Sequence, residues 1–163
     1  MFAETTLRLA QRLIEECRMR GLMIGTVESC TGGLIAGAIT SIDGSSSAME
    51  RGFVTYTNIA KNETVGVPME LFESVGAVSE EVARAMAEGA LAHAPLDCAV
   101  AVTGIAGPGG GSAEKPVGLV HIAAARKGHP TSHARHVFAG DRHAVRRATV
   151  DEALRLLTEI VVR

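Results

Sequence analysis

An α/β fold with helices on both faces of a mixed sheet is what this 163-residue chain predicts. Three observations carry that prediction. Helical and strand-like hydrophobic periods alternate along the sequence. The segment Cys98 to Val102 is apolar at every position, as a central strand covered on both sides requires. A short apolar run also passes through Glu28-Ser29-Cys30-Thr31-Gly32-Gly33 directly into a helical pattern.

The elements follow in order. From Leu7 through Ala10, Leu13, Ile14 and Cys17, apolar residues recur every three or four positions, which predicts a surface helix stopped near Gly21. Leu22 to Val27 has the length of a strand, and Leu34, Ile35, Ala38, Ile39 and Ile42 mark the helix after the turn. Asp43 to Ser47 is a loop by composition. Phe53 to Asn58 alternates as a strand with Val54, Tyr56 and Asn58 on one face, and Asn58 then caps a short helix that holds Lys61 in its first turn. Ser79 caps another helix, with Val82, Met86, Ala87, Ala90 and Leu91 on its apolar face. After Cys98 to Val102 comes a glycine-rich stretch, then a strand from Val117 to Ala125. The Arg126-Lys127-Gly128 turn returns Ser132 to Phe138 as an antiparallel partner, and Asp141 caps a last helix that buries Val150, Ala153, Leu154, Leu157, Ile160 and Val161. A chain of this length buries roughly 70% of its unfolded surface around one core, so residues 1–163 are expected to form a single domain.

Composition excludes several partners. With 16 Lys+Arg against 18 Asp+Glu there is no basic stripe for counterion release on nucleic acid, and at 3% aromatics there are few stacking platforms for single strands. No window approaches the ~20 apolar residues of a membrane span, and the N-terminus does not read as a targeting signal. Cys17, Cys30 and Cys98 are odd in number and form no CxxC pair, which fits a reducing, cytoplasmic setting.

Ser29 is the first candidate for chemistry. A serine at a strand-to-helix turn stands clear of the sheet, beside unpaired N–H groups able to hold an oxyanion. Its plainer role is a helix N-cap. The surroundings miss the G-x-S-x-G elbow, since Val27 and Thr31 occupy the glycine positions. Among bases, His93 and His129 are poorly placed, whereas Lys61 at a helix start is disfavoured as a cation and, if buried, tends to the neutral amine that accepts a serine proton. A solvated Lys61 is the ordinary alternative. Tyr56 either relays a proton or packs half-buried. Cys30, at the same helix start, is expected to have a depressed pKa and ranks second as nucleophile.

The stretch Thr103-Gly104-Ile105-Ala106-Gly107-Pro108-Gly109-Gly110-Gly111-Ser112 resembles a phosphate cradle at a strand's carboxyl end, although it lacks both the dinucleotide fingerprint and a Walker lysine. Arg142 and Arg146, at the start of the last helix, offer cations for an anion. Ser112-x-x-Lys115 matches a Ser-Lys dyad pattern only by accident, because Pro116 follows it in a loop. His133 and His136, three apart in a strand, face opposite ways, and neither a metal site nor a cofactor is expected.

Taken together, Glu28-Ser29-Cys30-Thr31-Gly32-Gly33, Tyr56-Thr57-Asn58-x-x-Lys61, Gly76-Ala77-Val78-Ser79-Glu80, Ala101 to Pro108 and Glu114-Lys115-Pro116-Val117-Gly118 resemble, in order and spacing, the CinA C-terminal domain family. The resemblance runs from about Leu7 to Leu157. It implies a three-layer α/β/α sandwich with a mixed, mostly parallel central sheet, and a homodimer or higher homo-oligomer. Enzymes of this family hydrolyse the carboxamide of nicotinamide mononucleotide, and the chain looks like the stand-alone form.

The family's serine, lysine and tyrosine fall on Ser29, Lys61 and Tyr56. The implied chemistry is acyl transfer by Ser29, with Lys61 as base and N–H groups of Cys30, Thr31, Gly32 and Gly33 as oxyanion donors. Asn58, Thr103, Gly104, Ile105, Ala106, Gly107, Gly109 and Arg142 would bind the nucleotide substrate. Against this stand a non-catalytic ligand-sensing or competence-associated module and an amidase for the riboside or free nicotinamide.

Overall fold

The computed structural model describes residues 1–163. Its elements are α1 (Glu4–Arg20), β1 (Ile24–Glu28), α2 (Leu34–Thr40), β2 (Met49–Val54), α3 (Asn58–Val65), α4 (Met69–Ser74), α5 (Glu80–His93), β3 (Cys98–Gly104), β4 (Leu119–Arg126), β5 (Ser132–Val137) and α6 (Arg142–Val162). The end signals act as expected. Gly21 takes the left-handed conformation and closes α1 on the carbonyls of Arg18 and Cys17. Ser79 and Asp141 accept the N–H groups of Val82 and Ala144.

Two elements differ from the sequence expectation. The second strand lies earlier than Phe53–Asn58, because β2 is an edge strand whose only partner, β1, ends at Glu28 opposite Val54. The last bond of this pair runs from Thr55 N–H to Glu28 O at 2.8 Å, and beyond it there is no ladder to hold Tyr56 and Thr57. Thr57, rather than Asn58, is therefore the cap of α3, its hydroxyl accepting the Ala60 N–H at 3.0 Å. Helix α4 has no counterpart in the sequence expectation; it is six residues after Pro68, with only Leu71 and Phe72 packed partly against the core, too few to make a readable period.

The sheet order is β2-β1-β3-β4-β5. Strands β2, β1 and β3 are parallel, and β4 runs antiparallel to both its neighbours, so four of the five strands point the same way. Alternation along β3 divides the core into two layers. Cys98, Val100 and Val102 pack with α1, α2 and α6, while Ala99 and Ala101 pack with α3 and α5. No helix is long and apolar enough to cross a membrane.

This topology positions the site. From β1 the chain moves outward to β2 and then returns to β3 on the other side, so the carboxyl ends of β1 and β3 flank a topological switch point, where open α/β sheets bind ligands. Ser29, the glycine-rich loop and the segment leading to Lys61 all follow the carboxyl ends of these strands.

Candidate active site

Strand alternation sends neighbouring residues at the end of β1 to opposite sides. Glu28 enters the layer of α2. It is fully buried, and its carboxylate accepts the N–H groups of Gly33, Ile35 and Ala36 at 3.0, 3.0 and 2.8 Å and the hydroxyls of Thr31 and Thr26 at 2.6 and 3.1 Å. Gly33 occupies the N-cap position with no side chain, so Glu28 does the capping. Ser29 is thereby released from the cap role that its sequence position suggested. Its hydroxyl lies instead on the side of α3.

Lys61 meets it there. The lysine is 2% exposed, ruling out the solvated alternative, and its Nζ lies 3.2 Å from Ser29 Oγ. The same nitrogen donates to the carbonyls of Thr55 at 2.9 Å and Tyr56 at 3.4 Å. Those two carbonyls take both hydrogens of a neutral amine and leave its lone pair for Ser29. Burial pushes the Lys61 pKa below the ordinary lysine value, with the nearby Cys30 working weakly the other way.

Most polar groups of the Ser29–Gly33 turn are accounted for. The Ser29 N–H donates to Val102 O at 3.2 Å, and Gly32 N–H donates to Ser29 O at 3.1 Å. Arg146 binds the carbonyls of Cys30 and Thr31 at 3.1 and 2.9 Å. Gly33 N–H belongs to Glu28. Of the four expected oxyanion donors, only the N–H groups of Cys30 and Thr31 make no hydrogen bond to another residue. Neither Glu28 nor Arg146 was singled out as shaping this turn from sequence. Glu28 had a signal, an acid directly before the candidate serine, but its five partners are visible only in three dimensions.

The structure also sorts the expected substrate-binding residues. Thr103 and Gly104 belong to β3 rather than to a loop, and the Thr103 hydroxyl is spent on Ala77 O at 2.8 Å. Ile105 exchanges backbone hydrogen bonds with Leu119 and Gly118, and Ala106 is buried in the apolar layer. The open backbone begins at Gly107. From Gly107 to Gly111 no N–H bonds within the chain. Arg142 ties this loop to the dyad's surroundings, donating to Gly107 O at 2.9 Å and to the Tyr56 hydroxyl at 3.1 Å. Tyr56 is 59% exposed, so it is no packing residue; its carbonyl faces Lys61 and its phenol faces Arg142. Asn58 is exposed at the start of α3.

Cys30 departs from expectation. Its thiol is buried in the apolar layer, and desolvation raises its pKa to about 11, outweighing any pull from the helix start. Lys115 donates its amine to Val75 O at 2.6 Å, which leaves Ser112-x-x-Lys115 without a side-chain dyad. His133 and His136 do diverge: the first meets His121, ring nitrogens 2.9 Å apart, and the second stacks on Phe138. Of four cavities of about 310 to 340 Å³, Arg146 lines one and Glu28 another, and none is lined by Ser29, Lys61 or Tyr56.

The chain is similar to known proteins over nearly its whole length. The model of the CinA C-terminal domain matches residues 6–161. The chain is 52% identical to the nicotinamide-nucleotide amidohydrolase PncC of Pseudomonas putida over 90% of its length and 91% of that protein's. It is 48% identical to the protein of that name from Escherichia coli K12 over 93% and 92%. The crystal structure of the competence/damage inducible protein CihA from Agrobacterium tumefaciens superposes with a TM-score of 0.97 at 49% identity, covering 100% of this chain and 99% of the other. With both sequence and fold matched nearly end to end, the chain belongs to the CinA C-terminal domain family.

Proposed function

We propose that this chain hydrolyses the carboxamide of nicotinamide mononucleotide, giving nicotinic acid mononucleotide and ammonia, as a cytoplasmic enzyme of pyridine-nucleotide salvage. The names of the Pseudomonas putida and Escherichia coli relatives support the reaction. The observation that carries the mechanism is the buried Lys61 amine 3.2 Å from Ser29 Oγ, with both its other contacts to carbonyls.

In this reading the neutral Lys61 takes the Ser29 proton as Oγ bonds to the carboxamide carbon. The N–H groups of Cys30 and Thr31 receive the oxyanion, a contribution worth about 100- to 1000-fold per donor. Collapse breaks the C–N bond, and Lys61 returns the proton so that ammonia leaves. Water, deprotonated by Lys61, then cleaves the nicotinoyl ester and restores Ser29. Tyr56 shapes this site through its carbonyl on Lys61. The open N–H groups from Gly107 to Gly111, with Arg142, suit the ribose phosphate, and the exposed Asn58 at the start of α3 is assigned to substrate binding with them.

We also assign the working form to a homo-oligomer, a homodimer being the simplest. Val54, Tyr56 and Ile59 are exposed apolar and aromatic residues around the end of edge strand β2 and the start of α3. Ammonia release from the nucleotide, the riboside and the free base tests the function. Release from the nucleotide, lost in Ser29→Ala and Lys61→Ala, supports it. A folded chain silent on all three compounds makes it a binding module instead.

A further inference from the structure

We infer that Glu28 is the positioning residue of this site: by capping α2 from below, it holds Ser29 out of the cap and keeps the Cys30 and Thr31 N–H groups free. The inference rests on the reading of Ser29 as nucleophile. Its basis is the account of which partners the turn's N–H groups and hydroxyls find.

Helix α2 starts with donors that need acceptors. Leu34 N–H finds Thr31 O at 3.3 Å and Gly37 N–H finds Gly33 O at 2.8 Å, which leaves Gly33, Ile35 and Ala36 to Glu28. The carboxylate reaches all three because it descends from the end of β1 into the α2 layer, and the Thr31 hydroxyl at 2.6 Å and the Thr26 hydroxyl at 3.1 Å complete its shell. Without it, buried helix donors face no acceptor. The turn can then supply an acceptor only by turning one of its own hydroxyls, Thr31 beside the carboxylate or Ser29 by rotation of the turn, towards α2, both being residue types favoured at N-caps. A serine recruited as a cap is withdrawn from Lys61, and the turn rearranges around the two free N–H groups.

The carbonyl side of the same turn is fixed independently by Arg146, through the carbonyls of Cys30 and Thr31. One anion gathers the turn's donors and one cation its acceptors. With the Ser29 and Gly32 N–H groups bonded to Val102 O and Ser29 O, what remains is the Ser29 hydroxyl and the N–H groups of Cys30 and Thr31, the parts that an acyl transfer uses.

Glu28→Gln tests this with no change of volume. The amide oxygen still accepts donors, but its NH2 confronts either the Ala36 N–H or the pair at Gly33 and Ile35. With nicotinamide mononucleotide, the expected result is a fall in kcat of about 100-fold, the scale of a small misplacement of a reacting group. KM stays within about threefold, and the acid limb of the pH profile, which belongs to Lys61, stays where it is. A folded Glu28→Gln with kcat within about twofold of the parent overturns the inference. So does a fall accompanied by a shifted acid limb, because Glu28 then acts on the proton and not on the turn.

If Glu28→Gln does not fold, Thr31→Val deletes the 2.6 Å donor and leaves the carboxylate. It must lower kcat with KM retained, and an undiminished kcat overturns the inference. A parent chain that releases no ammonia defeats the amidase reading alone. Glu28 is then judged by the rate at which a fluorophosphonate labels Ser29, slower by about 100-fold in Glu28→Gln if the inference holds and equal if it does not.

Discussion

Ser29 and Lys61 stand 32 residues apart in the chain and 3.2 Å apart in the fold. The distance is closed by topology: Ser29 directly follows strand β1, and Lys61 lies on the helix that follows the neighbouring parallel strand β2. Because the strand alternates, Glu28 and Ser29 part to opposite layers, and only the serine reaches the lysine.

The depressed Lys61 pKa gives a signed pH dependence. In the proposed mechanism the amine must be neutral to accept the Ser29 proton, so activity is expected to fall as pH drops through the lowered Lys61 pKa, giving an acid limb below the ordinary lysine range. Between that pKa and about 10.4, the unfolded chain holds the lysine proton that the folded chain has lost. Folding stability of the parent relative to Lys61→Met therefore rises with pH across that window. Urea melts at several pH values read the second effect and initial rates the first. Lys61→Arg, always protonated, is expected to lose at least about 1000-fold in kcat.

The substrate-binding role proposed for Arg142 predicts an effect on binding rather than on chemistry. Its guanidinium spans Gly107 O and the Tyr56 hydroxyl without touching Ser29 or Lys61. Arg142→Ala is expected to raise KM for nicotinamide mononucleotide by about 10- to 100-fold, the scale of a lost charge-assisted phosphate contact, with a smaller effect on kcat. For nicotinamide riboside, which has no phosphate, the same substitution should change KM by about threefold at most. Equal losses on both compounds would assign Arg142 to holding the loop alone.

A second titrating feature lies on the face that β4 and β5 present to α5. His121 is 9% exposed, its Nδ1 bonded to His133 Nε2, with Glu80 beyond His133 at 3.4 Å and Arg84, Lys115 and Arg135 around the pair. Burial, reinforced by His133, pushes the His121 pKa down to about 4. The unfolded chain takes up this proton near 6.5, so stability present above that pH is lost as pH falls towards 4. The expected loss is roughly 1–3 kcal/mol by chemical denaturation. His121→Asn, which keeps an acceptor near Nδ1 and removes the titration, should flatten the slope.

How much of this was legible from sequence depended on where the information lay. Local signals sufficed for Gly21, Ser79 and Asp141, because a cap is decided by its own neighbours. The all-apolar stretch at Cys98 located the central strand. Cys30 misled, since a helix start lowers a thiol pKa only where the thiol is not buried, and burial is a tertiary fact. Thr103 misled similarly, its hydroxyl turned to Ala77. The expected position of β2 failed because strand length there is set by where β1 ends, which no residue of β2 records.

Gly89 is the remaining position with a consequence for the site. It lies in α5, where a Cβ would fall 1.9 Å from the carbonyl oxygen of Val65 in α3. The collision is with backbone, which cannot swing aside as a side chain can. Gly89→Ala would ordinarily favour a helix by about 0.8–1.0 kcal/mol. Here it must push α3 away from α5, opening the layer formed by Val65, Met86 and Ala90. We expect net destabilisation of about 1–3 kcal/mol, the scale of overpacking. Because Lys61 lies one turn before Val65, the displaced helix carries the amine away from Ser29. Turnover should fall even in the fraction that remains folded, while the pH at which the acid limb appears moves towards the ordinary lysine value as water reaches Nζ. A Gly89→Ala chain with parental melting temperature and parental pH profile would mean that the close α3–α5 approach has no part in holding Lys61.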